Sequence, residues 1–88
     1  MFFYTYVLRC KTALKTDIYI GYTNNLRKRL EKHQSHRVPS TKEYLTISLV
    51  YYEACRSKED AVKREKSLKT GFGRSFIKNR IKSDLLRV

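Results

Sequence analysis

Five residues of this chain have types and spacings suited to chemistry on a charged substrate: Tyr6, Tyr19, Arg29, His33 and Glu65. Glu65 lies four residues beyond Ala61 and three before Leu68, on the apolar stripe of a helical pattern that Val62 widens. A lone carboxylate on such a stripe is costly to bury unless it is paired or binds a cation. Two readings stay open: a structural salt bridge to a nearby Lys or Arg, or a divalent metal. Mg²⁺ takes few carboxylates and keeps several waters, so a one-carboxylate site is chemically reasonable. Arg29 and His33 complete a stripe with Leu26 and Leu30 at helical spacing. They therefore border the core side of their helix, while Arg27, Lys28, Glu31 and Lys32 point elsewhere. A guanidinium fork can hold phosphate oxygens bidentately as negative charge builds. The histidine, one turn along, can share a base role or orient a hydroxyl or a phosphate. Tyr6 and Tyr19 lie in two strand-like runs whose pairing could direct both hydroxyls to one mouth. Surrounding cations would favour a tyrosinate there and lower its pKa. The bland alternative for each tyrosine is a core side chain with its hydroxyl tied to backbone. A base, a cation for the phosphoryl oxygens, support for the leaving oxygen and in-line alignment are what phosphodiester hydrolysis needs.

Three strands and three helices must position these groups. Phe2 to Cys10 is aromatic and β-branched with no Gly or Pro, and reads as a strand. Its alternation puts Phe3, Thr5, Val7 and Arg9 on one face and Tyr4, Tyr6, Leu8 and Cys10 on the other. Asp17 to Tyr22 is a second strand, joined closely enough for an antiparallel hairpin; Gly21 near its end permits close approach. Thr23 or Asn24 can cap a helix running to about Gln34. Ser35 to Glu43 holds the only proline and reads as a loop. Leu45 to Cys55 is a third strand, with Leu45, Ile47, Leu49 and Tyr51 alternating against Thr46, Ser48, Val50 and Tyr52. Ser57 opens a second helix with Glu59 and Asp60 in its first turn. Gly71 fits the position that ends it, and Phe72-Gly73 reads as a turn. A last helix spans about Arg74 to Lys82, with Phe76, Ile77 and Ile81 on one face. The order β-β-α-β-α-α predicts an α/β (α+β) domain over residues 1–88, a single three-stranded, mainly antiparallel sheet flanked by helices.

Charge indicates the partner. Twenty Lys and Arg against eight Asp and Glu give a formal +12. So large a charge on a small domain favours a polyanion. Nucleic acid fits better than a membrane surface, since no segment has an uninterrupted apolar helical face and none approaches a membrane span. Cys10 and Cys55 read as reduced core thiols of a cytoplasmic protein, with a bridge between adjacent strands as the alternative. The N-terminal run is too short and aromatic for a secretory signal. A zinc site from His33 and His36 lacks further ligands nearby.

Taken in order, Tyr6, Tyr19-Ile20-Gly21, Arg29, His33 within Asn24 to His33, and Glu65 within Ala61-x-x-x-Glu65-x-x-x-Lys69 resemble the GIY-YIG nuclease superfamily, as a small stand-alone member. The match runs from about Tyr4 to Leu85. The first motif departs from the pattern: Tyr4-Thr5-Tyr6 keeps only its tyrosine. The resemblance implies the same sheet-and-helix core and a metal-dependent endonuclease acting on DNA, in repair or recombination, with RNA still open. It implies Glu65 as the single protein ligand of Mg²⁺ or Mn²⁺. Arg29, eight residues after Gly21, becomes the catalytic arginine, and Tyr6, Tyr19 and His33 join it as catalytic groups. The expected nucleic-acid contacts are Arg27, Lys28, Lys32, Arg37, Lys69, Arg74, Lys78 and Asn79. Asn79 falls in the region of an asparagine that many relatives use to position the site. Relatives that select substrates commonly carry a second domain. None is visible here, so a partner protein is a candidate source of targeting. The competing expectation is a basic nucleic-acid-binding module on the same fold without catalysis.

Overall fold

The computed structural model describes residues 1–86; residues 87–88 of the expected domain lie outside the described residues. Strand β1 (Phe3–Lys11) is central. It pairs antiparallel with β2 (Thr16–Thr23) on one side and β3 (Thr46–Cys55) on the other, giving the order β2-β1-β3. Helix α1 (Leu26–Gln34) follows β2, and α2 (Lys58–Leu68), α3 (Gly71–Arg80) and the short α4 (Lys82–Leu85) follow β3. This is the α+β arrangement that the residue pattern predicts.

Alternation along β1 divides the interior in two. Tyr6, Leu8 and Cys10 pack with Ile47, and with Tyr19, Leu26, Leu30, Tyr44 and Leu49, under α1. Val7, on the opposite face, packs with Ile20, Leu68, Ile77 and Ile81 beneath α2 and α3. Each buried aliphatic or aromatic side chain contributes about 1.5–3 kcal/mol, so the sheet is held from both faces. Thr5 donates to the carbonyl of Ala61 at 3.0 Å, which fixes α2 against β1. Arg9 binds the carbonyl of Asp84 at 2.8 Å, which ties α4 to the same face.

Five details depart from the sequence expectations. Tyr51 does not share a face with Ile47 and Leu49. Val7 pairs with Tyr51 and Leu8 with Leu49, so Val50 is an extra residue in β3. Such a bulge reverses the alternation beyond it, and Val50 and Tyr51 both pack against the α2–α3 core. Leu45 precedes β3 and is largely exposed. Gly71 does not end α2 but is the first residue of α3. Thr70 does both jobs: its hydroxyl donates to the carbonyl of Ser67 at 2.7 Å and accepts from the N–H of Gly73 at 3.1 Å. Gly73, read as a turn residue, lies inside α3, where a Cβ would come within 2.5 Å of Leu68 Cα; it is the crossing point of two helices. Finally, Phe76 leaves the buried face of Ile77 and Ile81 and lies under the guanidinium of Arg64, 5.0 Å from its ring centre.

Both ends of α1 are fixed locally. Asn25, one residue later than expected, caps it by accepting from the N–H of Lys28 at 3.1 Å. At the far end His36 adopts φ 60°, and the N–H groups of His36 and Arg37 return to the carbonyls of His33 and Lys32, each at 3.0 Å. This is the paired closure of a Schellman motif, with histidine where glycine is usual. Cys10 and Cys55 are free. They stand opposite Ile47 and Phe3, near the two ends of the β1–β3 ladder, so no bridge can join them.

Candidate active site

The α1-facing side of the sheet gathers four of the five singled-out residues. Tyr6 and Tyr19 come from β1 and β2, and Arg29 and His33 from consecutive turns of α1. Tyr6 is the hub. Its hydroxyl lies 2.9 Å from Nε2 of His33 and accepts from Nε of Arg29 at 3.2 Å. The Tyr19 ring meets the His33 ring edge to face with centres 5.1 Å apart, and lies 6.3 Å from the Tyr6 ring. Nδ1 of His33 reaches the hydroxyl of Thr41 at 2.7 Å. An unbroken hydrogen-bonded chain therefore runs Thr41–His33–Tyr6–Arg29.

Gly21 makes room for this chain. It stands directly across from Tyr6 in the β1–β2 register. A Cβ at that position would lie 2.5 Å from the Tyr6 hydroxyl oxygen and 2.7 Å from Cζ. The tyrosine ring folds over the bare glycine, and this is how its hydroxyl reaches α1.

Burial governs the protonation states. His33 is fully enclosed. Desolvation, with the charge of Arg29 second, pushes its pKa down to about 4. The imidazole is therefore neutral at pH 7. Tyr6 is displaced upward, because burial outweighs the lowering by its hydrogen bond to Arg29. The sequence expectation that surrounding cations favour a tyrosinate is reversed at Tyr6 for this reason. Arg29 is held protonated still more firmly, chiefly through the Tyr6 hydroxyl.

Arg29 lines an open cleft of ≈ 470 Å³ with Phe3, Tyr22, Thr23, Asn24 and Lys58. Lys58 was legible only as the first residue of a helix. In the fold it adds a second cation to the rim. Glu65 lies on the sheet-facing side of α2 with its side chain 16% exposed, and its Oε2 pairs with Lys69 at 3.4 Å. It is near enough for its charge to act on Tyr6. Among the described residues no cluster of three or more His, Cys, Asp or Glu could enclose a metal. A lone, part-buried carboxylate matches the donor set of a hard cation that keeps most of its water. Glu65 is thus the residue present that could hold one.

The other expected contacts divide by position. Arg27, Lys28 and Lys32 are exposed on α1. Arg37 is exposed beyond it and donates to Ser35 at 2.9 Å. Arg74 and Lys78 project from α3 beside Ile18 at the outer edge of β2. Asn79 lines a different cleft with Val50, Tyr51 and Asp84 and shares no hydrogen bond with the Tyr6 cluster. Thr41 is the group that the sequence concealed: a polar residue in a polar loop, with no periodicity to mark it, yet completely buried. The turn bonds Thr41 N–H to Val38 C=O and Tyr44 N–H to Thr41 C=O hold it there.

A tyrosine pair on adjacent strands, an arginine and histidine on the next helix, and a glutamate on the helix after the third strand keep the order that the GIY-YIG resemblance implies. The GIY-YIG catalytic domain pattern matches residues 2–81, and the chain belongs to the GIY-YIG family. Its relatives include a UPF0213 protein of Streptococcus pyogenes serotype M5, 46% identical over 63 residues, covering 70% of this chain and 65% of that protein. A UPF0213 protein of Streptococcus pneumoniae serotype 4 is 39% identical over 67 residues, covering 75% and 65% respectively. The chain thus spans slightly less than two thirds of the length of these curated relatives. The solution structure of a UPF0213 protein from Bacillus halodurans superimposes with a TM-score of 0.52 at 30% identity, over 88% of this chain and 82% of that one. No helix among the described residues is long and apolar enough to cross a membrane.

Proposed function

We propose that this chain is a divalent-metal-dependent endonuclease that hydrolyses phosphodiester bonds in DNA. The observation that carries the reading is the setting of Arg29. Its Nε is spent on Tyr6, at 3.2 Å, while its guanidinium lines an open cleft beside Lys58. The rest of the fork, beside the Tyr19 hydroxyl, would grip phosphate oxygens, and Tyr6 holds it in place beforehand. Preorganised donors of this kind are worth most where charge develops in the transition state.

In the reaction a water oxygen bonds to phosphorus as the bond to the leaving ester oxygen breaks. One proton leaves the attacking water and one arrives on the leaving oxygen. Neutral His33, with its pKa near 4, is too weak a base to take that proton unaided, and Tyr6 is a phenol at neutral pH. Their part is to hold Arg29 and the Tyr19 ring in register. In this reading Tyr19, only part-buried, is the tyrosine that meets the attacking water. Glu65 would hold the Mg²⁺ or Mn²⁺, which when bound supplies charge stabilisation at the phosphoryl oxygens.

One observation favours a second reading, a non-catalytic nucleic-acid-binding module: Glu65 is already paired with Lys69. The pair is an i, i+4 contact with a half-exposed lysine, worth about 0.3–0.5 kcal/mol, and a divalent ion competes with it readily. The discriminating experiment is a cleavage screen over single-stranded, duplex, flap and forked oligonucleotides with Mg²⁺ or Mn²⁺. Metal-dependent cleavage of at least one DNA supports the nuclease. Binding of all with cleavage of none supports the module.

A further inference from the structure

Helix α1 covers only part of the sheet face that carries Tyr6. Leu26 and Leu30 of α1 pack with Tyr6, Leu8, Cys10 and Ile47, toward the Lys11–Thr46 end of the β1–β3 ladder. The other end of that face is open. Tyr52 stands directly across from Tyr6, on the same face, and is 52% exposed. Ala54, across from Tyr4, is exposed as well. The rings of Tyr4 and Tyr52 meet edge to face, with centres 5.9 Å apart and planes at 64°. Such a pair uses the edge of one ring and one face of the other, so it fixes both rings without covering either on both sides.

The pair adjoins the cationic cleft. Tyr4 lies between Phe3 in the chain and Thr23 across the ladder, and both of those line the cleft that holds Arg29 and Lys58. With strands about 4.8 Å apart, β3 is separated from the cleft wall on β2 by about 10 Å. At this end of the face the sheet presents Thr23, Tyr4, Tyr52 and Ala54, none of them charged. Glu53, next to Tyr52 in β3, pairs with Thr5 on the opposite face and is bound by Arg64 through two contacts of 2.9 Å. A strand with a phosphate at Arg29 therefore brings its neighbouring bases toward uncharged aromatic rings. Duplex DNA keeps its base faces inside its own stack and shows only edges in its grooves. An unpaired strand has free base faces, which stack on aromatic side chains with little regard to sequence.

We propose that Tyr52, braced by Tyr4, is a stacking platform for an unpaired stretch of the nucleic-acid strand whose phosphate enters the Arg29 cleft. The basic surface gives affinity for any phosphate backbone. The exposed ring adds a preference for substrates with free bases: a single strand, a flap or a gap. Stacking rests on the nucleic-acid reading shared by the endonuclease and the binding module, and does not require cleavage.

The test is binding, in chelator and at one fixed salt concentration, of a short oligodeoxythymidylate, an abasic oligonucleotide of the same length and a blunt duplex. Tyr52→Leu keeps an apolar side chain and removes the ring, at a position exposed enough for the fold to tolerate it. Its affinity for the oligodeoxythymidylate should fall about tenfold, the scale of one base stacked on a ring, with the duplex and the abasic strand bound as by wild type. Tyr52→Phe keeps the ring and should bind all three as wild type does. Tyr52→Leu holding the oligodeoxythymidylate as tightly as wild type, or losing as much on the duplex or the abasic strand, overturns the platform. Tyr52→Phe as weak as Tyr52→Leu overturns it too, since the hydroxyl and not the ring face is then the contact. So does a wild type that is dimeric where Tyr52→Leu is monomeric, which makes this face a contact between copies of the chain. Binding to none of the probes overturns the platform together with the nucleic-acid reading. Selective, Tyr52-dependent binding without cleavage of any DNA keeps the platform and removes the nuclease.

Discussion

Gly21→Ala puts the geometry at the centre of the site to a test of sign. Glycine inside a strand ordinarily weakens it, so alanine there is expected to stabilise by about 0.5–1 kcal/mol. The structure reverses this. The added methyl would stand 2.5 Å from the Tyr6 oxygen, 2.7 Å from Cζ and 3.1 Å from Cε2. Tyr6 cannot swing aside freely, being 1% exposed and hydrogen-bonded to His33 and Arg29. Moving the ring forfeits a neutral hydrogen bond worth about 0.5–1.5 kcal/mol and a charged one worth about 1.5–3 kcal/mol. Keeping the ring in place strains a filled core by about 1–3 kcal/mol. The cheaper route sets the cost, so Gly21→Ala should be destabilised by about 2 kcal/mol, and for a domain of this size the melting temperature falls by roughly 8–16 °C. Urea unfolding of wild type, Gly21→Ala, Tyr6→Leu and the double variant completes the assay. Leucine removes Cζ and the oxygen, so Gly21→Ala should cost little or nothing in that background, and the coupling should approach the full value of about 2 kcal/mol. A Gly21→Ala protein as stable as wild type would refute the placement of the Tyr6 ring over β2.

Three further outcomes follow from the same arrangement. His33 titrates near pH 6.5 when unfolded and near 4 when folded; between these values the unfolded chain binds the extra proton, so stability is complete above pH 6.5 and is lost as pH falls toward 4. Over pH 6.5 to 5 the loss is about 2 kcal/mol, readable as a drop in urea midpoint that His33→Gln should lack. Arg29→Ala should slow single-turnover cleavage on the order of a hundred- to a thousand-fold, with poor rescue by lysine, which lacks the fork; Arg27→Ala, exposed on the same helix, should change affinity alone, and equal rates for the two alanine variants would return Arg29 to the general basic surface. DNA affinity should fall steeply with salt, with a log–log slope of about −4 to −5 for roughly five phosphate contacts, and an affinity flat between low and moderate salt would contradict an electrostatic footprint.

Local signals carried most of the architecture. β-branched and aromatic runs marked the three strands, and the stripe Leu26, Arg29, Leu30, His33 placed two polar residues on the buried side of α1, where the fold has them. Signals that depend on tertiary packing were not legible. The Val50 bulge is visible only once β3 lies beside β1. Gly71 and Gly73 look like punctuation in the chain, but Thr70 and the α2–α3 crossing make them helical. At the site, desolvation outweighed charge at Tyr6, and no count of nearby lysines could have shown that. Thr41 and Lys58 come from a loop and a helix start, and only the closed fold brings them to His33 and to the cleft.

Whether Glu65 holds a catalytic metal decides between the nuclease and the binding module. Single-turnover cleavage of an oligonucleotide that wild type cuts is followed for wild type and Glu65→Gln, with Mg²⁺ or with chelator, alongside binding of the same DNA. Glutamine keeps the side-chain volume and removes the charge. Wild type should cleave only with metal, Glu65→Gln should not cleave at all, and both should bind the DNA with similar affinity. Undiminished, metal-dependent cleavage by purified Glu65→Gln would contradict the assignment.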